Sequence, residues 1–154
     1  MRTMLSLTLA GVAIVIATGV SVVAHHAFGA EFDANRPVML RGTVSKVELV
    51  NPHAWIHVAA TEVTVAGVKK DLNGGTEMWA VEGGTPNTLL RRGINRDSLS
   101  GNPEVIVDGY QARDHTLTRA NGRNITFKDG RKLFMGSSGT GAPKDGADQT
   151  EPPK

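Results

Sequence analysis

The chain has 154 residues, no cysteine, 17 Lys and Arg against 15 Asp and Glu, and a hydrophobic fraction of 40%. That is one domain's worth of chain, and the missing cysteine excludes disulfides, thiolate metal sites, thiol catalysis and a lipid-bearing N-terminal cysteine. A formal charge of +2 leaves no electrostatic footprint for nucleic acid, so no nucleic-acid partner is expected.

In chain order, Met1-Arg2-Thr3 leads into an uncharged apolar run, residues 4–23, that closes on Val22-Val23-Ala24. One positive charge, an apolar stretch and small residues before the break are the pattern of a signal peptide over residues 1–24, cut after Ala24. Cuts after Ala27 or Ala30 are poorer, because they put His25 or Phe28 at the position where a small residue is needed. The competing reading is a retained anchor, since about 20 apolar residues span a bilayer. Gly11, Thr18, Gly19 and Ser21 weaken that helix. Under both readings the rest of the chain is expected outside the cytoplasm, periplasmic or secreted, with membrane contact only through an uncleaved signal. Cleavage leaves a mature chain that starts His25-His26-Ala27-Phe28, with its free α-amine on a histidine.

Residues 25–36 read as an N-terminal arm and residues 37–136 as the folded domain. Residues 38–50 form a first strand in which Val38, Leu40 and Val44 share one face while Val47 and Leu49 fall on the other. The slip near Ser45-Lys46 predicts a bulge in a long bent strand. Asn51-Pro52 breaks the run. Residues 53–65 read as a second strand, with Ala54, Ile56, Val58 and Ala60 on one face and His53, Trp55 and His57 on the other. Residues 69–75 are turn-like, and residues 76–83 form a third strand with Trp79 and Val81 in register.

Thr85-Pro86-Asn87 ahead of Leu89-Leu90-Arg91-Arg92-Gly93 is the helix signal: a capping threonine, a proline at the first helical position and a glycine at the end. Residues 104–110 form a fourth strand. Residues 124–128 and 131–135 flank Asp129-Gly130, a pair favoured in a type I′ hairpin turn. Residues 137–154 are nearly free of large apolar side chains and are expected to be a disordered tail. Five to six short strands with one short helix after the third predict a mainly β domain, a small OB-like Greek-key β-barrel. An unspecified small β-sandwich is the alternative that periodicity leaves open.

Several strings are characteristic. His25-His26-Ala27-Phe28, Glu31-Phe32-Asp33, residues 40–44 (LRGTV) and Asn51-Pro52-His53 resemble a bacterial secreted family, the domain-of-unknown-function family numbered 6152. The resemblance continues through Trp79-Ala80-Val81-Glu82, Leu90-Arg91-Arg92-Gly93 and residues 129–134 (DGRKLF). It implies an exported small β-domain and carries no known activity, substrate or catalytic residue. Some members have glycine where this chain has His115, which makes His115 a poor candidate for a shared functional residue.

The five histidines are 25, 26, 53, 57 and 115. Without thiolates, a transition-metal site must use imidazole, carboxylate and the α-amine; imidazole suits copper, zinc and nickel, and copper heads the affinity order. A histidine at the N-terminus chelates through its amine and a ring nitrogen, and a second histidine completes the set. His53 and His57 are four residues apart on one strand, about 13 Å at about 3.3 Å per residue, whereas metal–nitrogen bonds are about 2.0–2.1 Å. They cannot share an ion without a bulge. The candidate metal ligands are therefore His25, His26 and His53, with Glu31 or Asp33 as a carboxylate, and Trp55 and His57 form a candidate ligand face. The structural alternatives are that the histidine pair only suits export, that His53 caps the Asn-Pro turn, and that Trp55 packs under the arm.

No catalytic motif is present: the serines lack a nucleophile-elbow context. Glu82 is expected to be a solvated strand carboxylate, with a buried acid of raised pKa as the alternative. Gly83-Gly84 before Thr85 is a weak anion-cradle signal, and Arg91-Arg92 are expected to complement the helix dipole. The function expected is an exported binding module, with copper as the candidate metal. The alternative is a metal-free envelope protein-interaction domain that uses the Trp55 face, with the tail as a spacer.

Overall fold

Apolar residues on every second position make the strands, and their pairing makes the sheet. The computed structural model describes residues 28–136; the expected signal, His25, His26 and the tail lie outside them. A helical turn at residues 28–31 leads into β1 (Phe32–Glu48), β2 (Trp55–Val65), β3 (Val68–Lys70), β4 (Glu77–Glu82), α1 (Pro86–Arg91), β5 (Glu104–Ala112), β6 (Arg119–Phe127) and β7 (Lys132–Phe134). The protein is mainly β, with one seven-stranded sheet. Among the described residues no helix is long and apolar enough to cross a membrane.

Five of the strands have neighbours on both sides. The pairings run β1–β2, β2–β4, β4–β6, β6–β5 and back from β5 to β1. All are antiparallel except β4–β6, which is parallel. β3 adds to β2, and β7 adds to β6. Leu40, Val44, Ile56, Val58, Trp79, Val81, Leu89, Val107 and Ile125 fill the core between the strands and α1. A second, smaller cluster holds Phe28, Phe32, Tyr110 and Ala112.

β1 bends to reach both β2 and β5. Its register slips between Val44 and Lys46, where the sequence predicts a bulge, and again between Arg41 and Gly42. At the second slip the strands approach so closely that a Cβ on Gly42 would stand 2.1 Å from the Ala59 carbonyl oxygen. The helix follows its sequence signals. The Thr85 hydroxyl accepts from the Thr88 N–H at 3.3 Å, Pro86 opens α1, and Gly93 takes a φ of 82° beyond it.

Several expectations are corrected. The strands number seven, not five to six, because Val68–Lys70 folds back on Val63–Val65. The expected arm contributes its residues 32–36 to β1, because Phe32 pairs with Ala112 and packs on Phe28; a register shift between Phe32 and Pro37 absorbs the proline. The two-residue loop that joins paired strands with positive φ at both positions is Ala66-Gly67 between β2 and β3, at 50° and 79°, and not Asp129-Gly130; Asn73-Gly74, at 51° and 74°, makes a similar turn ahead of β4. At Asp129-Gly130 only Gly130 has positive φ; the Gly130 N–H donates to the Phe127 carbonyl and the Phe127 N–H to Arg131. That is a three-residue loop closed by a left-handed glycine. β2 also starts at Trp55, after His53, and β6 starts at Arg119, ahead of the expected 124.

Candidate functional site

Alternation decides which side chains leave the core. Ile56, Val81 and Ala120 point inward on β2, β4 and β6, so their neighbours face out. Trp55 pairs with Glu82, and Glu82 with Asn121. One step along, His57 pairs with Ala80, and Ala80 with Arg119. The turn through Asn51-Pro52, joined by a cis peptide bond, carries His53 to the edge of this face. Phe28 and Glu31 of the N-terminal turn and Phe32 of β1 also line it. The result is a pocket of about 480 Å³ whose wall also includes Glu48, Val50 and Pro52.

Arg119 organises the pocket. Its Nη2 donates to Glu31 Oε2 at 2.8 Å and to Glu82 Oε2 at 3.1 Å. Its guanidinium carbon stands 4.7 Å from the Trp55 ring centre and 5.5 Å from that of Phe32, both within cation–π range. Glu82 is buried, and that burial pushes its carboxyl above the ordinary glutamate range, with Glu31 adding to the shift and His53 and Arg119 opposing it. The expected solvated carboxylate is thus overturned: Glu82 is buried and Arg119 holds its Oε2.

His53 has a half-exposed side chain, yet its Nδ1 is closed off from solvent and makes no hydrogen bond. That nitrogen lies 3.7 Å from Glu82 Oε1. His57 is engaged elsewhere, its Nε2 2.7 Å from Glu48 Oε1, and Lys46 pairs with the same carboxylate at 2.9 Å. Lys46 first and His57 second hold the Glu48 carboxyl below its ordinary range.

The candidate residues therefore divide. His53, Trp55 and Glu31 share the pocket wall. His57 stands beside it on Glu48. Asp33 turns to another part of the surface, where His115 Nε2 lies 3.3 Å from its Oδ2. The Asn35 N–H, ahead of His115, holds the Asp33 carboxyl low. His25 and His26 lie outside the described residues. Among the described residues no group of three or more His, Asp and Glu is arranged to hold a metal ion.

Two weaker signals resolve differently from expectation. The Gly83 N–H donates to the Ala54 carbonyl at 2.8 Å and the Gly84 N–H to Met135 at 2.7 Å, so neither serves an anion cradle. Arg91 sits in the last turn of α1 as expected, but Arg92 reaches away to the Gly136 carbonyl at 2.6 Å and over the Phe134 ring at 4.6 Å. Sequence reasoning passed over Arg119, Asn121 and Phe28. The signal for the first two was present: in Arg119-Ala120-Asn121 the apolar residue sits between two polar ones, which is how an inward alanine puts its neighbours on one outer face.

These features define a small, mainly β domain with a polar, aromatic-walled pocket on the outer face of its sheet. The chain belongs to the family of unknown function DUF6152, whose model matches residues 12–121. That span takes in the N-terminal turn, the Asn51-Pro52 turn, β1 to β5 and the start of β6, including every residue of the pocket wall. No curated protein and no solved structure matches the chain.

Proposed function

We propose that the chain is an exported small binding module, built as an OB-like Greek-key barrel, that takes Cu(II) at this pocket through His25, His26 and His53. The barrel reading is supported by the order of pairings, which returns to β1, by the single parallel pair β4–β6, and by α1 lying between β4 and β5. Barrels of this kind bind ligands on the face of their second and third strands and on the flanking loops. Here those are β2, β4 and the turn that carries His53, which is where the pocket lies.

The observation that carries the copper reading is that Phe28 and His53 share one pocket wall. A fully extended chain covers at most about 3.6 Å per residue, so the three steps from His25 to Phe28 span at most about 11 Å. His25 and His26 thus stand three and two residues ahead of Phe28, a residue of the wall that also holds His53. Cleavage after Ala24 frees the amine that completes a chelate with the His25 ring. Imidazole and amine donors with no thiolate suit Cu(II).

The test is a Cu(II) titration near neutral pH of two forms: the chain beginning at His25, and the same chain with one extra residue in front. The first form should bind one ion and the second far more weakly, because the added residue removes the amine from the chelate. His53→Ala should weaken binding and His57→Ala should not. Equal affinities for the two forms would reject the N-terminal chelate. If neither form binds, a metal-free envelope protein-interaction domain that uses the Trp55 face is the better reading.

A further inference from the structure

Glu82 has no place in a ligand set of His25, His26 and His53, yet its side chain is only 10% exposed. A buried carboxylate is costly unless both oxygens are engaged. Arg119 holds Oε2 at 3.1 Å. That grip leaves Oε1 toward His53, whose buried Nδ1 lies 3.7 Å away with no hydrogen bond of its own. Buried polar atoms without a partner are rare in folded proteins. Here a carboxylate oxygen stands 3.7 Å from that nitrogen. The ring is exposed elsewhere, its side chain being 40% accessible although Nδ1 is covered.

We propose that Glu82 is a positioning residue for His53: it accepts a hydrogen bond from Nδ1–H, fixes the Nδ1-protonated tautomer, and so leaves a bare Nε2 as the atom that meets the metal. The role follows a general rule of metal sites. A ligating imidazole donates its other ring N–H to a carboxylate or carbonyl, which sets the tautomer and the ring orientation. Arg119 serves the same end one step further out, since its hold on Oε2 aims Oε1 at the ring. The metal part of this inference rests on the copper reading above, whereas the tautomer is a property of the metal-free protein.

The experiment uses both properties. Nitrogen-15 NMR of the metal-free chain at about pH 8, above the ordinary imidazole range of about 6.5, separates protonated from bare ring nitrogens. His53 should show its proton on Nδ1, and Glu82→Leu, which removes the acceptor, should move it toward Nε2. Glu82→Gln keeps a carbonyl oxygen in place and should retain the Nδ1–H form. Copper affinity of the chain beginning at His25 should fall about ten- to a hundredfold in Glu82→Leu. A wild-type His53 protonated on Nε2 overturns the proposal without any variant having to fold, and so does an unchanged tautomer in Glu82→Leu. Absence of copper binding in the wild type rejects the copper reading alone, because the tautomer is read independently of it.

Discussion

Arg119 stands 4.7 Å over the Trp55 ring while its Nη2 holds the buried carboxylate of Glu82 at 3.1 Å. One guanidinium thus joins β2, β4 and the N-terminal turn, whose Glu31 it also binds at 2.8 Å. A planar cation that stacks and forks at once is a task that lysine performs poorly.

Removing this cation should be costly. Arg119→Met leaves Glu82 buried without its charged partner, and hydrogen bonds to charged groups contribute about 1.5–3 kcal/mol. Solvent reaches 35% of the Arg119 side chain, so the loss should fall at about 1.5–2 kcal/mol after screening. Urea unfolding reads it. Adding Glu82→Gln to Arg119→Met should recover part of the loss, and a double-mutant cycle measures how much.

The raised Glu82 pKa sets the sign of a pH effect. Burial makes the folded protein hold this proton more tightly than the unfolded chain does, whose carboxyl keeps the ordinary value of 4.5. The folded state then binds more protons across the window from 4.5 upward to the raised pKa, so this group's contribution to stability falls as pH rises through that window. Glu82→Gln removes the slope. Plotted against pH, the stability of Glu82→Gln minus that of the wild type should climb across the window; a flat difference would refute the burial argument.

Gly42 tests the bend in β1. A methyl group there would stand 2.1 Å from the Ala59 carbonyl oxygen, and that oxygen belongs to a backbone that pairs on both sides. Gly42→Ala should cost about 3 kcal/mol, the upper end for overpacking, or prevent folding. Gly29→Ala, with nothing within 4 Å of the added carbon, should be close to neutral in the same denaturation assay.

The last prediction concerns where the fold stops. Met135 is fully buried, its carbonyl accepts from the Gly84 N–H at 2.7 Å, and the Gly136 carbonyl accepts from Arg92 at 2.6 Å. A chain ending at Gly136 should keep the stability of the full chain within about 1 kcal/mol. A chain ending at Phe134 loses the methionine and both acceptors, and should lose about 3 kcal/mol or more, the range for emptying a buried methionine site.

The strands were legible where apolar residues alternate without interruption. Residues 54–60 and 104–110 carry that pattern, and Thr85, Pro86 and Gly93 bracket α1 with chemistry that needs no tertiary context. β6 was half hidden because Asn121, Arg123 and Asn124 are buried polar residues on a strand with neighbours on both sides, which period-two hydrophobicity cannot register. The hairpin turns were misallocated because Ala66 accepts a φ of 50° that the sequence gives no reason to expect of alanine. His53 and Trp55 stood out as residues of the outer face. Glu82 did not, since its state is set by burial in the folded chain and by Arg119, 37 residues away in sequence.

The return of the pairings to β1 has a consequence for the chain in company with its own copies. The strands with a single neighbour, β3 and β7, are three residues long each. Long open edges are templates on which other chains add strands, whereas short edges carrying lysine resist such addition. β3 presents Lys69 and Lys70, and β7 begins at Lys132. The protein should therefore stay monodisperse at concentrations where a sheet of seven strands with open flanks would be drawn into edge-to-edge aggregates.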